Sequence, residues 1–242
     1  MRLLRRSLLL LAPAALAAAL FPVLSTAATL NEAVFNDVGT DTHEFIEICG
    51  SVSESLDGLT VVIIEGEPTG CGVIDRVISL NGYTIGASGL FVIGTTAVNP
   101  DLTQAASFVE NGSQTVLLVR DYTGQTVGTD IDPGNDGVAD FPIGTIVDGF
   151  GIIGALTTAD LVYYGVTVIG PDGTYDPAGV ARCDDCDGTW GMICLNGTEP
   201  APIGIACALP TYIVEFATPG ALNCPPIATE SKTWGSIKSL YN

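Results

Sequence analysis

From Asn31 onward the chain is cut into short runs rich in Val, Ile, Phe and Tyr, separated by clusters of Gly, Asn, Asp and Pro. The runs are Asn31–Asn36, Glu44–Cys49, Leu59–Glu65, Asp75–Ser79, Gly89–Gly94, Thr115–Asp121, Thr145–Gly149, Leu161–Val168 and Tyr212–Phe216. Turn signals punctuate them: Leu56-Asp57-Gly58, Asn81-Gly82, Asn111-Gly112 and Pro171-Asp172-Gly173. Beta-branched and aromatic runs bounded by such turns read as strands. Within Glu44–Cys49 the alternation places Glu44, Ile46 and Ile48 on one face and Phe45, Glu47 and Cys49 on the other. Glu47 is then half-buried in mid-strand, where a carboxylate needs a partner such as Arg76 or Arg120. No run has a long helical period with caps, apart from the leader and a short turn near the C-terminus. The fold class is therefore all-β, an antiparallel sandwich or barrel with long loops.

Two segments fall outside that pattern. Residues 1–27 carry a basic start (Arg2, Arg5, Arg6) and an apolar run from Leu8 to Leu20. Small residues follow, with Ser25 and Ala27, or Thr26 and Ala28, at the cleavage positions. This reads as a secretory signal peptide, since the apolar run is short for a membrane span. Residues 28–224 form one β domain. Pro225-Pro226 ends it, and residues 225–242 form a tail in which Trp234, Ile237, Lys238 and Tyr241 fall at near-helical spacing.

Charge narrows the function. The chain has 8 Lys and Arg against 27 Asp and Glu, a net charge of −19, and three of the cations lie in the leader. The scattered remainder cannot build a basic patch for nucleic acid or for anionic membranes. A solvated extracellular surface, or one that binds cations, fits better. The charged fraction of 14% is too low for a disordered acidic tail.

His43 is the only histidine. His43-Glu44-Phe45-Ile46-Glu47 is one letter short of the zinc-protease signature, but Glu stands where the second histidine must be, and a strand offers no helical face for both ligands. The same count removes Ser-His-Asp and Cys-His catalysis unless His43 itself is the base of a cryptic secreted hydrolase. Phosphate-cradling loops are absent, and 27 acids offer too many pairs to pick out a glycosidase couple.

Three further features carry chemistry. In "DIDPGNDGVAD", Asp130, Asp132, Asn135, Asp136 and Asp140 put five oxygen-bearing side chains on a flexible loop, a candidate calcium site without EF-hand spacing. Asp and Asn are also ordinary turn residues. The cysteines Cys49, Cys71, Cys183, Cys186, Cys194, Cys207 and Cys224 all follow the leader. In an exported chain they read as disulfides, with one left over. Cys49 with Cys71, linking neighbouring strands, and Cys194 with Cys207 are candidate pairs. A four-thiolate zinc site from Cys183, Cys186, Cys194 and Cys207, or a redox pair at Cys183 and Cys186, are the alternatives. Asn111-Gly-Ser and Asn196-Gly-Thr match the glycosylation acceptor, which matters only in a eukaryotic source.

The order of several segments resembles bacterial lamin tail domains. "LNEAVFNDVGTDTHEFIEICG" is similar to their opening, and "SLDGLTVVIIEG" to the next strand. "ASGLFVIG", "GSQTVLLVRDYTG", the Asn135-Asp136-Gly137 loop before "IVDGFG", and "ATPGALN" (217–223) follow in the same order. The resemblance spans Leu30 to Asn223 and departs at the Cys183–Cys207 segment. It implies an immunoglobulin-like β-sandwich of a kind generally found as a non-catalytic interaction module, often beside secreted nucleases or phosphatases. It carries over no catalytic residue. The expectation is a secreted module that binds an extracellular protein or a surface polymer, or a calcium-stabilised adhesion protein using the Asp130–Asp140 loop.

Overall fold

The computed structural model describes residues 27–36, 40–154, 159–171, 177–182, 186, 188–193 and 217–223. The leader, the Tyr212–Phe216 run, Cys183, Cys194, Cys207, Cys224, Asn196 and the 225–242 tail lie outside them. Eleven strands are present among the described residues: β1 (Thr29–Val34), β2 (Phe45–Cys49), β3 (Leu59–Glu65), β4 (Ile74–Ser79), β5 (Leu90–Gly94), β6 (Leu102–Thr103), β7 (Gln114–Arg120), β8 (Thr145–Ile152), β9 (Thr167–Ile169), β10 (Gly179–Arg182) and β11 (Trp190–Ile193). A single 3-10 turn, Thr96–Val98, is the one helical element there. No helix among these residues is long and apolar enough to cross a membrane.

The strands form two sheets. Sheet I runs β11-β10-β1-β2-β5-β6, and sheet II runs β4-β3-β7-β8-β9. They stack with their apolar faces together, and alternation decides which residues meet. Ile46, Ile48, Phe91 and Ile93 of sheet I share one core with Val61, Ile63, Val116 and Leu118 of sheet II. Phe150 and Trp190 close it edge to face, with centroids 5.1 Å apart. The architecture is thus sandwich-like and all-β.

It departs from the antiparallel arrangement expected from the sequence. β5 pairs β6 and β8 pairs β9 in parallel. Both parallel strands are short additions at sheet edges.

The Leu161–Val168 run is strand only from Thr167. Its first part crosses the outer face of sheet II: Leu161 N donates to Gly66 O (2.8 Å), Tyr163 is buried, and Tyr164 and Gly165 turn with φ of 61° and 65°. β10 and β11 come from a stretch in which the apolar pattern marked no strand. Gly179 allows β10 to lie against β1, since a Cβ there would sit 2.2 Å from Ala33 O.

Both outer faces are covered. Phe45, Val92, Ala181 and Ile193 form a second apolar cluster on sheet I, which Ala217 packs against. Val62, Leu117, Val119, Ile131, Ile143 and Tyr163 form a third on sheet II, beneath the 121–144 loop.

Candidate functional site

The single histidine of the sequence stands at the entry to β2. His43 is half-buried just before β2, with Nδ1 3.0 Å from Thr42 Oγ1. The strand behind it alternates as read: Ile46 and Ile48 enter the common core while Phe45 lies in the outer cluster.

Glu47 faces outward and is fully buried, but its partners are neither Arg76 nor Arg120. Asn31 Nδ2 donates to Glu47 Oε1 (2.8 Å), and Gly220 N donates to Oε2 (2.7 Å). Arg120 sits exposed at the end of β7 on the other sheet, and Arg76 donates to the main-chain oxygens of Asp75 and Ser107. Glu32 stands directly opposite Glu47 in the β1–β2 ladder and accepts from Thr218 N and Oγ1. The 217–223 segment therefore clasps sheet I through two buried carboxylates.

The disulfide lies on the same face and corrects the Cys49–Cys71 expectation. Cys49 is bonded to Cys186. Cys71 lies in the β3–β4 turn of the other sheet, out of reach, as a buried free thiol that donates to Asn135 Oδ1 (3.1 Å). With its sulfur in that bond, Cys186 is unavailable to a four-thiolate zinc site or a Cys183–Cys186 redox pair.

The acidic loop turns inward on itself. Asp132 is buried; its Oδ2 accepts from Gly137 N (2.8 Å) and Tyr163 OH (3.2 Å), and its Oδ1 from Asp136 N (3.2 Å). Burial pushes its pKa up, but the donors from Gly137, Asp136 and Tyr163 outweigh it and hold the carboxyl below its ordinary range. Asp130 Oδ1 caps Asp132 N (2.9 Å), and Asp136 Oδ1 caps Val138 N (2.9 Å). Asn135 faces the Cys71 thiol, and Asp140 N donates to Ile131 O. Gly72, with φ of 87°, lets the β3–β4 turn lie close to the loop, since a Cβ there would sit 2.9 Å from Asp130 Oδ1. The four aspartates do not bring three carboxylate oxygens within 4.8 Å of one another.

Among the described residues, a different trio does converge: Glu65, Asp75 and Glu110, whose ligand oxygens all lie within 4.8 Å. Each arrives by a separate route. Glu65 is the last residue of β3, on the face that carries Val61 and Ile63 inward, where the apolar core runs out. Asp75 is the extra residue of a bulge: Ile63 pairs Arg76 and Ile64 pairs Ile74, which leaves Asp75 outside the ladder. Bulges re-aim side chains in this way. Glu110 is exposed on the loop leading to β7, next to Phe108 and Val109, which plug this end of the core.

At 4.8 Å and an effective dielectric near 20, two such charges repel by roughly 3.5 kcal/mol. The titration reflects this. Burial, then contact with Glu110 and the Asp75 charge, push Glu65 up to about 7 despite the Glu67 amide hydrogen bond. Burial and the Glu110 charge also raise Asp75, while Arg76 opposes them.

Beside this rim, Glu44 is buried on the core face of sheet I. Its Oε2 accepts from Phe108 N (3.2 Å), while Oε1 has no partner. Burial pushes it up to about 7, aided by the Asp41 charge and opposed by the Phe108 amide.

No family model, curated protein or solved structure matches this chain. Composition had flagged a surface that could bind cations, but no spacing in the sequence links residues 65, 75 and 110.

Proposed function

We propose that the chain is exported and works as a non-enzymatic interaction module of the immunoglobulin-like, lamin-tail kind, binding an extracellular protein or surface polymer. The observation that carries this reading is the Cys49–Cys186 bond, which joins β2 to the segment between β10 and β11 within sheet I. Such structural bonds persist in oxidising compartments, in line with the basic-apolar leader. The order of the lamin-tail-like segments in the sequence gives further support. "FIEIC" forms the middle of sheet I, and "ATPGALN" locks onto its buried carboxylates. Candidate contact surface exists on the 121–144 loop, where Val127, Val138 and Phe141 are exposed.

The test is expression with the intact leader, followed by mass mapping of the chain outside the cell. A processed N-terminus near Ala28 and an intact Cys49–Cys186 bond are the expected results. A chain retained with its leader and with both thiols reduced would overturn the export reading. Hydrolytic turnover that disappears in His43→Gln would overturn the non-enzymatic one.

A further inference from the structure

We infer that Glu65, Asp75 and Glu110, together with the side-chain oxygen of Gln114, form a calcium-binding site at the open end of the sandwich. The three carboxylates alone would be an acidic cluster of a common kind. Gln114 is the second observation. It is the first residue of β7 and stands directly across from Glu65 in the β3–β7 ladder. The alternation that sends Val116 and Leu118 into the core sends Gln114 to the same side as Glu65.

Gln114 is only 2% exposed. Its amide nitrogen donates to Glu110 O (2.7 Å), which fixes which end of the carboxamide is oxygen. The carboxamide is thus tied to the Glu110 main chain on the side of the sheet that Glu65 shares, and its Oε1 is buried with no partner. A buried acceptor is normally satisfied. Unlike a carboxylate, an amide oxygen cannot meet that need by taking up a proton at ordinary pH. A donor or a cation must supply it.

The donor set selects the ion. Three carboxylates and one amide oxygen are hard ligands, which exclude thiolate-seeking metals and suit calcium or magnesium. Ligands 2.3–2.6 Å from a calcium ion lie at most about 5 Å from one another, so the three carboxylate oxygens, gathered within 4.8 Å, fit one coordination sphere. Amide oxygens, irregular geometry and a mixture of buried and exposed donors are tolerated by calcium and poorly by magnesium. The Arg76 guanidinium does not block the site through these ligands, since its donors go to the main-chain oxygens of Asp75 and Ser107. The site would tie the β3 end, the β4 bulge and the loop before β7, three segments that otherwise repel. This inference is independent of the interaction-module reading.

The experiment uses the oxidised full-length mature chain, freed of metal with EDTA, dialysed and titrated with calcium chloride by calorimetry, with melting curves in parallel. One site is expected, with a dissociation constant of about 0.1–1 mM as in extracellular calcium modules, and a melting temperature that climbs with calcium concentration. Glu110→Gln and Gln114→Met should each weaken binding about tenfold or more, while Asp136→Asn in the 130–140 loop should leave it unchanged. Glu110 is exposed, so its variant keeps the fold, and in EDTA it should melt above the parent because one repulsive charge is gone. Absence of both heat and melting shift at about 10 mM calcium, well above that affinity range, would overturn the proposal. So would binding that survives Glu110→Gln and is lost in Asp136→Asn.

Discussion

The Arg182–Asp148 pair is the sharpest point at which to perturb the packing of the two sheets. Arg182 lies on β10 of sheet I and Asp148 on β8 of sheet II. The guanidinium Nη2 donates to both carboxylate oxygens at 2.9 and 3.0 Å, and each side chain is only 14% exposed. Nε donates to Leu30 O (3.0 Å), Nη1 to Gly188 O (3.0 Å), and the guanidinium carbon stands 4.2 Å from the Trp190 ring centroid. Asp148 in turn accepts from Leu30 N and Gly149 N.

In Arg182→Met the stem keeps its apolar contacts and the charge is lost. Breaking a buried pair costs about 3–5 kcal/mol. Slight exposure and the surviving amide donors to Asp148 lower that, and the lost cation–π contact adds about 1 kcal/mol. The expected destabilisation is about 3 kcal/mol, read as a lower urea midpoint at unchanged slope. At roughly 2–4 °C per kcal/mol for a domain of this size, the melting temperature falls by about 10 °C. A cycle with Asp148→Asn should return a coupling energy above about 1 kcal/mol. A loss below about 1 kcal/mol, with no coupling, is what an ordinary exposed ion pair gives, and it would refute the claim that this contact holds the sheets together.

Three further outcomes are expected. With calcium chelated, unfolding free energy should fall as pH rises from about 4.5 to about 7. Across that window the folded chain keeps protons on Glu44 and Glu65 that the unfolded chain has released. Glu44→Gln should flatten the profile by roughly 3 kcal/mol, and an unchanged slope in pH-resolved urea titrations would contradict the burial of Glu44. Replacing Cys49 and Cys186 together by Ser opens a bond spanning 137 residues and should cost about 5 kcal/mol by chain entropy, measured as a lower urea midpoint. Gly179→Ala places a methyl 2.2 Å from Ala33 O, where no flexible group can yield, and should cost about 3 kcal/mol or abolish folding, as judged by circular dichroism melts.

What could be read in advance was local. β3 is Leu59–Glu65 as its apolar run indicated, β2, β4 and β5 differ from their runs by one residue at one end, and β7 is its run shifted by one residue. Alternation also placed Glu47 opposite Ile46 and Ile48 and demanded a partner for it. It could not name that partner, because Gly220 lies 173 residues away and donates from its backbone, which no side-chain pattern marks. The same gap explains the cysteines: Cys49 and Cys186 meet through the position of β10 beside β1, a long-range pairing.

The acidic loop shows the opposite hazard. Asp130 to Asp140 are dense in sequence, yet they spend their oxygens capping one another's amides, as Asp and Asn commonly do in turns. The acids that do converge are separated by ten and thirty-five positions, and one of them depends on a bulge.

The sheet margins carry a last consequence. Sheet I finishes at β6, two residues long, and sheet II at β9, three residues long. The far side of β4 is interrupted by its bulge, carries Asp75 and Arg76, and has main-chain bonds to the 128–129 stretch through Ile74 and Gly128. Each of these margins offers an incoming foreign strand too little free backbone to extend the ladder. Strand addition is thereby disfavoured at these three margins, and a partner that reaches them is met by side chains and loops rather than by a ladder to extend.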